Sequence, residues 1–237
     1  MDIRLTGLAG CRVCTRLCAY LDKLQAKRGW SRSDYVNGPV PGFGDFRARV
    51  GLVGLAPGAH GANRTGRPFT GDGAGDFMYP LLYQVGFASQ PEAIAADDGL
   101  QLNDLYITNA VKCAPPENKP DATEFAACRS FLKAEFDSMP QLKVIILLGQ
   151  GAFTSYLRML KADRVIDRLT DFPFAHGAVY RPRCGPVLVA SYHTSRYNVQ
   201  TGRMTAPLFL ALLAQVRKLL DEESGAEKTV EKPLSLN

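Results

Sequence analysis

Apolar positions along this chain fall into short runs whose period alternates between strand and helix. "RVGLVGLAPG" (49–58) reads as a buried strand running into a glycine turn. "FMYPLLYQVGF" (77–87) has helical spacing, with Pro80 expected in the first turn, where its missing N–H costs nothing. "LYITNAVKC" (105–113) is a β-branched strand, and "APPENKP" after it must be loop. Asp121 with Glu124 three residues on forms a capping box for a helix through "EFAACRSFLKAEF". "KVIILLG" (143–149) is the plainest buried strand and leads into the helix "QGAFTSYLRML". "GPVLVASYH" (185–193) is a fourth strand, and "APLFLALLAQVRKLL" (206–220) is a closing amphipathic helix.

Strands alternating with helices predict an α/β chain: a three-layer α/β/α sandwich around a mainly parallel four-stranded sheet. One domain is expected over residues 1–220, followed by a polar, disordered tail over 221–237. In such sheets ligands lie beyond the carboxyl ends of the strands. The loop over 56–72, Asn109 with the loop to Asn118, and His193 should therefore meet.

Composition agrees with a folded domain, at 46% hydrophobic and 22% charged residues in a chain of 237. No apolar run approaches bilayer length, and "MDIRLTGLAG" lacks the basic start and long apolar stretch of a leader. A cytoplasmic monomer with no membrane partner is expected. Charge is more telling in its placement than in its net value of +5. Residues 1–50 hold nine Lys/Arg against four Asp/Glu, whereas residues 221–237 hold five acids and two lysines. A basic body with an acidic tail suits a polyanionic partner.

Six cysteines in a reducing compartment are more readily metal ligands than disulfides. Cys11 and Cys14 form C-x2-C with Cys18 just beyond, Cys113 and Cys128 form a distant pair, and Cys184 stands alone, expected to pack as a small apolar residue. The two pairs could hold zinc or an iron–sulfur cluster.

The chemistry concentrates in "GLAPGAHGANRTGRPFTGD" (54–72), "YITNAVKCAPPENK" (106–119) and "HTS" (193–195). Together with the cysteine pattern, these stretches resemble the family 5 uracil-DNA glycosylases, the UDGb type, over residues 11 to about 210. The resemblance implies a base-excision repair enzyme that hydrolyses the N-glycosidic bond of uracil in double- or single-stranded DNA, with hypoxanthine and xanthine as further bases. Such an enzyme must hold a base extruded from the stack. Phe69 is placed to stack on that base, and the Asn109 amide offers a donor and an acceptor to its O4 and N3–H edge. His193 is the donor for O2; a neutral imidazole suffices.

In this family the first glycine-rich motif lacks a side chain that could orient the attacking water, and here Gly54, Leu55, Ala56, Pro57 and Gly58 offer none. Ala56 and Gly58 line the base site, and the short side chain of Ala56 leaves room for purines. The water falls to Asn118 first. Asp72 is second, because it could simply cap the helix after it. Arg64, Arg196, Tyr197 and Asn198 are the DNA-contacting candidates, with Tyr197 and Asn198 as minor-groove wedges. His60 and His176 rank lower, the latter as structural. The resemblance turns the cysteine set toward a 4Fe–4S cluster on Cys11, Cys14, Cys113 and Cys128, with Cys18 as a substitute for one of the first pair. A non-catalytic nucleic-acid module with structural zinc is the competing reading. It explains charge and cysteines but leaves Phe69, Asn109 and His193 without a purpose.

Overall fold

A computed structural model describes residues 7–230. Helix α1 (Thr15–Lys23) leads, through a long loop, to the two-residue strand β1 (Phe43–Gly44) and then β2 (Val50–Gly54). The short α2 (Ala62–Thr65) and α3 (Gly73–Gln84) follow, then β3 (Leu105–Asn109), α4 (Ala122–Asp137), β4 (Val144–Leu148) and α5 (Gly149–Ala162). The chain ends with β5 (Val179–Tyr180), β6 (Val187–Ser191), α6 (Arg196–Gln200) and α7 (Ala206–Val230).

The sheet order is β1-β3-β2-β4-β6-β5. Its four central strands are parallel and fully buried, as their apolar runs demand. The expectation of four strands needs correcting at the edges. β1 and β5 pair antiparallel to β3 and β6, which makes a mixed six-stranded sheet. Strands of two residues carry no readable period of their own.

Apolar clusters lie on both faces of the sheet. One includes Leu52, Ile107, Ile146 and Val189 with Met78, Leu82, Phe209 and Leu213 from α3 and α7. The other includes Val53, Ile145, Leu147 and Leu188 with Phe136 of α4 and Phe153 and Tyr156 of α5. Because α3 follows β2 on one face and α5 follows β4 on the other, a crevice opens beyond the carboxyl ends of these neighbouring strands.

Two boundaries differ from expectation. Asp72 starts α3 at Gly73, so Pro80 lies inside the helix, on its exposed side. Helix α7 continues to Val230, ten residues past the expected end, and Arg181 pairs with Glu222 and Glu223. The expected tail is therefore helical over 221–230, and 231–237 lie outside the described residues. Among the described residues, no helix is long and apolar enough to cross a membrane.

Candidate active site

The loop after β2 is drawn inward by glycines. A Cβ at Gly54 would lie 2.4 Å from Asn109 Oδ1 and 2.5 Å from Phe69 Cζ, so the strand end, the ring and the amide converge on one point. Phe69 is buried with a left-handed backbone, φ +54°. Its conformation is enforced from three sides. The Tyr79 hydroxyl donates to Pro68 O at 3.0 Å. A Cβ at Gly75 would sit 1.7 Å from Phe69 O, so only glycine fits there. Buried Arg67 makes a fork to Asp98 at 2.8 and 2.6 Å and donates to Thr70. Arg67, with the N–H groups of Leu100, Ile94 and Ala95, holds the Asp98 carboxyl far below the usual range.

His193 completes the group. Its ring centroid lies 6.0 Å from that of Phe69, with the planes 31° apart. Asn198 Nδ2 donates to His193 O at 2.8 Å, and a Cβ at Gly149 would come within 3.3 Å of His193 Cβ. Burial lowers the imidazole pKa to about 4, so it is neutral near pH 7 and can give one ring N–H. Asn109 is buried, and its side-chain amide has no hydrogen-bond partner among the described residues. A tie to the local backbone, the ordinary use of such an asparagine, is absent, and both ends of the amide are free to read a ligand edge.

The remaining candidates divide. Asp72 Oδ1 accepts from Ala74 N and Gly75 N at 3.0 and 3.1 Å, the cap of α3. Its Oδ2 faces the glycine turn, 3.2 Å from where a Gly58 Cβ would stand. Asn118 ends a 3-10 turn on the exposed rim, with φ +56° next to Glu117 at +53°, and its side chain bonds nothing among the described residues. Ala56 is half-buried and packs against the apolar cluster that contains Cys113 and Cys128. Arg196 packs against Gly73, joining the HTS segment to the start of α3, and Tyr197 is exposed. Asn198, expected as a wedge, is half-buried and spent on the His193 carbonyl. His60 is exposed and meets the Tyr35 hydroxyl at 3.0 Å. His176 accepts from Tyr192 N at 3.2 Å and stacks on its ring, a structural role.

A family model described as the uracil DNA glycosylase superfamily matches residues 41–217. The chain belongs to that superfamily. It is 46% identical over 213 residues to a type-5 uracil-DNA glycosylase of Thermus thermophilus, covering 90% of this chain and 94% of the relative. A type-5 uracil-DNA glycosylase of Pyrobaculum aerophilum is 39% identical over 224 residues, 94% of this chain and 93% of the relative. A type-4 uracil-DNA glycosylase of Saccharolobus solfataricus matches only half of each chain, at 35% identity. Membership of this glycosylase superfamily displaces the reading as a non-catalytic zinc module.

Sequence reasoning missed part of the site. A cavity of about 260 Å³ beside His193 is lined by Leu55, Gly149, Gln150, Tyr192 and Arg203, among others. Gln150 and its glycines looked like the start of a helix and nothing more. Their position directly after a buried strand was the available signal.

Beyond the glycine loop, Cys14, Cys113 and Cys128 share an apolar cluster with Leu17, Leu21, Val111 and Ala114. Burial pushes the Cys113 thiol up to about 12, and Cys128, Cys11, Cys18 and Cys14 push the same way. Burial likewise raises Cys14 to about 11. Lys112 N donates to Cys128 Sγ at 3.4 Å. Arg16 on α1 forks onto Glu124 of α4 at 2.8 and 2.7 Å, tying the helix that follows Cys14 to the helix that carries Cys128. Among the described residues, no three His, Cys, Asp or Glu side chains stand close enough for one metal ion. Cys184 is exposed, against the expectation that it packs, because its loop runs over the surface.

Proposed function

We propose that this chain hydrolyses the N-glycosidic bond of deoxyuridine in DNA, releasing uracil and leaving an abasic site. The observation that carries this reading is the convergence of Phe69 and Asn109 on Gly54, with His193 beside the Phe69 ring and the Asn109 amide unpartnered. The extruded base stacks on Phe69, and Asn109 donates to O4 and accepts from N3–H. As the C1′–N1 bond breaks, its electron pair leaves with the base. Neutral His193 donates to O2, where negative charge develops. Water adds to the cationic C1′, and its proton leaves to solvent. Asn118 orients this water: its two-residue left-handed turn holds an untethered amide, a strain of the kind kept at working positions. Asp72 has one oxygen committed to the α3 cap and ranks second.

Asn118→Ala should slow single-turnover base release by ~10² while leaving DNA affinity nearly intact. If Asn118→Ala cleaves at the wild-type rate and Asp72→Ala is dead, the carboxylate carries the water. Release of free base from duplexes containing uracil, hypoxanthine or xanthine tests the wider base range that the small Ala56 allows.

The residues also fit a 4Fe–4S cluster on Cys11, Cys14, Cys113 and Cys128. Each thiolate of such a cluster binds a different iron, so the ligands need not meet at one point. The apolar surroundings and the Lys112 N–H aimed at Cys128 Sγ support it, and Cys18, one turn after Cys14, could replace a ligand of the first pair. Bound, the cluster would cross-link the segment before α1 to the loop after β3 and to α4, and would take no part in the hydrolysis. About four irons per chain are expected, with Cys11→Ala losing the absorbance near 400 nm; stoichiometric zinc after anaerobic purification would overturn it.

A further inference from the structure

Trp30 is the only tryptophan of the chain, and 48% of its surface is exposed. It stands in the long loop between α1 and β1. Arg64 lies over one face of its ring, with Cζ 3.9 Å from the centroid. The cation is fixed in turn: Nε donates to His60 O at 3.3 Å, and Nη2 would be 2.5 Å from a Cβ on Gly71. Lys27 and Arg28 beside it are exposed and form no ion pair among the described residues. An indole backed by a held guanidinium, with its remaining surface open and cations around it, is a stacking surface for an unpaired base on a phosphate strand.

Its place relative to the base pocket follows from two contacts. Gly71, beside Arg64, comes two residues after Phe69. Gly73, two residues further, carries Arg196 at 3.1 Å from where its Cβ would be, and Tyr197 follows with 71% exposed. Trp30–Arg64 and Arg196–Tyr197 therefore flank the loop over 69–73, whose inner side presents Phe69 to the pocket. The contacts from Trp30 through Arg64 to Gly71 set the indole beside the loop that a strand delivering one base to Phe69 would pass.

We infer that Trp30 and Arg64 form a stacking subsite for the unpaired base next to the lesion, on the damaged strand. This rests on the reading as a DNA glycosylase. The subsite recognises a flat base with no preference among the four, so it favours single-stranded DNA and duplexes whose neighbouring pair opens.

Because Trp30 is alone, its own fluorescence reports the contact. The chain as purified is titrated with single-stranded oligonucleotides carrying a central tetrahydrofuran abasic analogue, fully based or lacking the base on one side. Quenching by the fully based strand is expected, with loss of quenching when one particular neighbour is removed and not the other. Trp30→Leu should weaken single-strand binding by about tenfold, and Trp30→Tyr should restore most of it. Equal quenching by all three strands, or unchanged affinity in Trp30→Leu, would overturn the subsite. Uracil release by the wild-type chain is measured on the same strands with deoxyuridine at the centre. If release fails, the glycosylase reading falls; if release occurs without base-dependent quenching, only the subsite falls.

Discussion

Phe69 holds a backbone conformation, φ +54°, that costs a bulky residue on the order of 1–3 kcal/mol, and packing around it supplies the difference. Gly54 and Gly75 approach it from opposite sides with different chemistry. At Gly75 a new methyl meets the Phe69 carbonyl, which is backbone and cannot step aside. Gly75→Ala should therefore destabilise the fold by roughly 2–3 kcal/mol and displace the loop. At Gly54 the methyl meets the Asn109 amide and the Phe69 ring, two side chains that can turn. Gly54→Ala should cost less stability yet slow single-turnover release by ~10², because both groups leave their bonding positions. Urea unfolding beside a single-turnover assay separates the two; equal stability loss with activity retained in Gly54→Ala would mean the groups do not act there. The glycine-rich run itself marked this place in the sequence. The left-handed Phe69 did not, since it depends on the Tyr79 hydroxyl and on Gly75, both brought in by α3.

Elements are joined at the site by a buried pair that periodicity hides. Lys112 and Glu135, 1% and 0% exposed, meet at 2.6 Å, with Thr108 Oγ1 2.5 Å from the ammonium and Gly42 N donating to the second carboxylate oxygen at 3.3 Å. The network ties the end of β3, which carries Asn109, to α4 and to the approach to β1. Glu135→Leu should destabilise by about 3–5 kcal/mol by stranding a buried ammonium, whereas Lys112→Met with Glu135→Leu should recover most of the loss. Denaturant midpoints of the single and double variants check this; a double variant as unstable as the single would mean the hydrogen bonds, not the charge balance, carry the effect. In sequence Lys112 reads as an ordinary surface lysine near a strand end, because its partner lies 23 residues away on a helix face. The four central strands were readable for the opposite reason: full burial demands unbroken apolar runs. Strands β1 and β5 were not, since their two residues pair only after the sheet exists. The carboxyl-end rule likewise brought Phe69, Asn109 and His193 together in advance. The Trp30–Arg64 contact obeys no period and joins a loop to the short α2, so only the folded chain reveals it.

Across the whole molecule, ionisation couples the site to solution conditions. The basic N-terminal region and the Arg196–Arg203 segment should dominate DNA affinity through phosphate contacts, so raising salt from roughly 50 to 200 mM should weaken binding at least tenfold. A flat response in a filter-binding titration would count against that. Acid acts through His193. Its folded pKa of about 4 lies below the ordinary 6.5, so between those values the unfolded chain binds a proton that the folded chain refuses. Stability from this group is therefore complete above about pH 6.5 and is lost as pH falls toward 4. The slope is at most ~1.4 kcal/mol per pH unit, and less for a residue only partly shielded from water. His176, also lowered by burial, contributes in the same direction and remains in both proteins when wild type is compared with His193→Asn. Wild type should lose more stability than His193→Asn between pH 7 and pH 5, measured by urea unfolding at each pH. Parallel curves would mean that His193 titrates alike in the folded and unfolded chains, so that burial does not keep the imidazole neutral below its ordinary range.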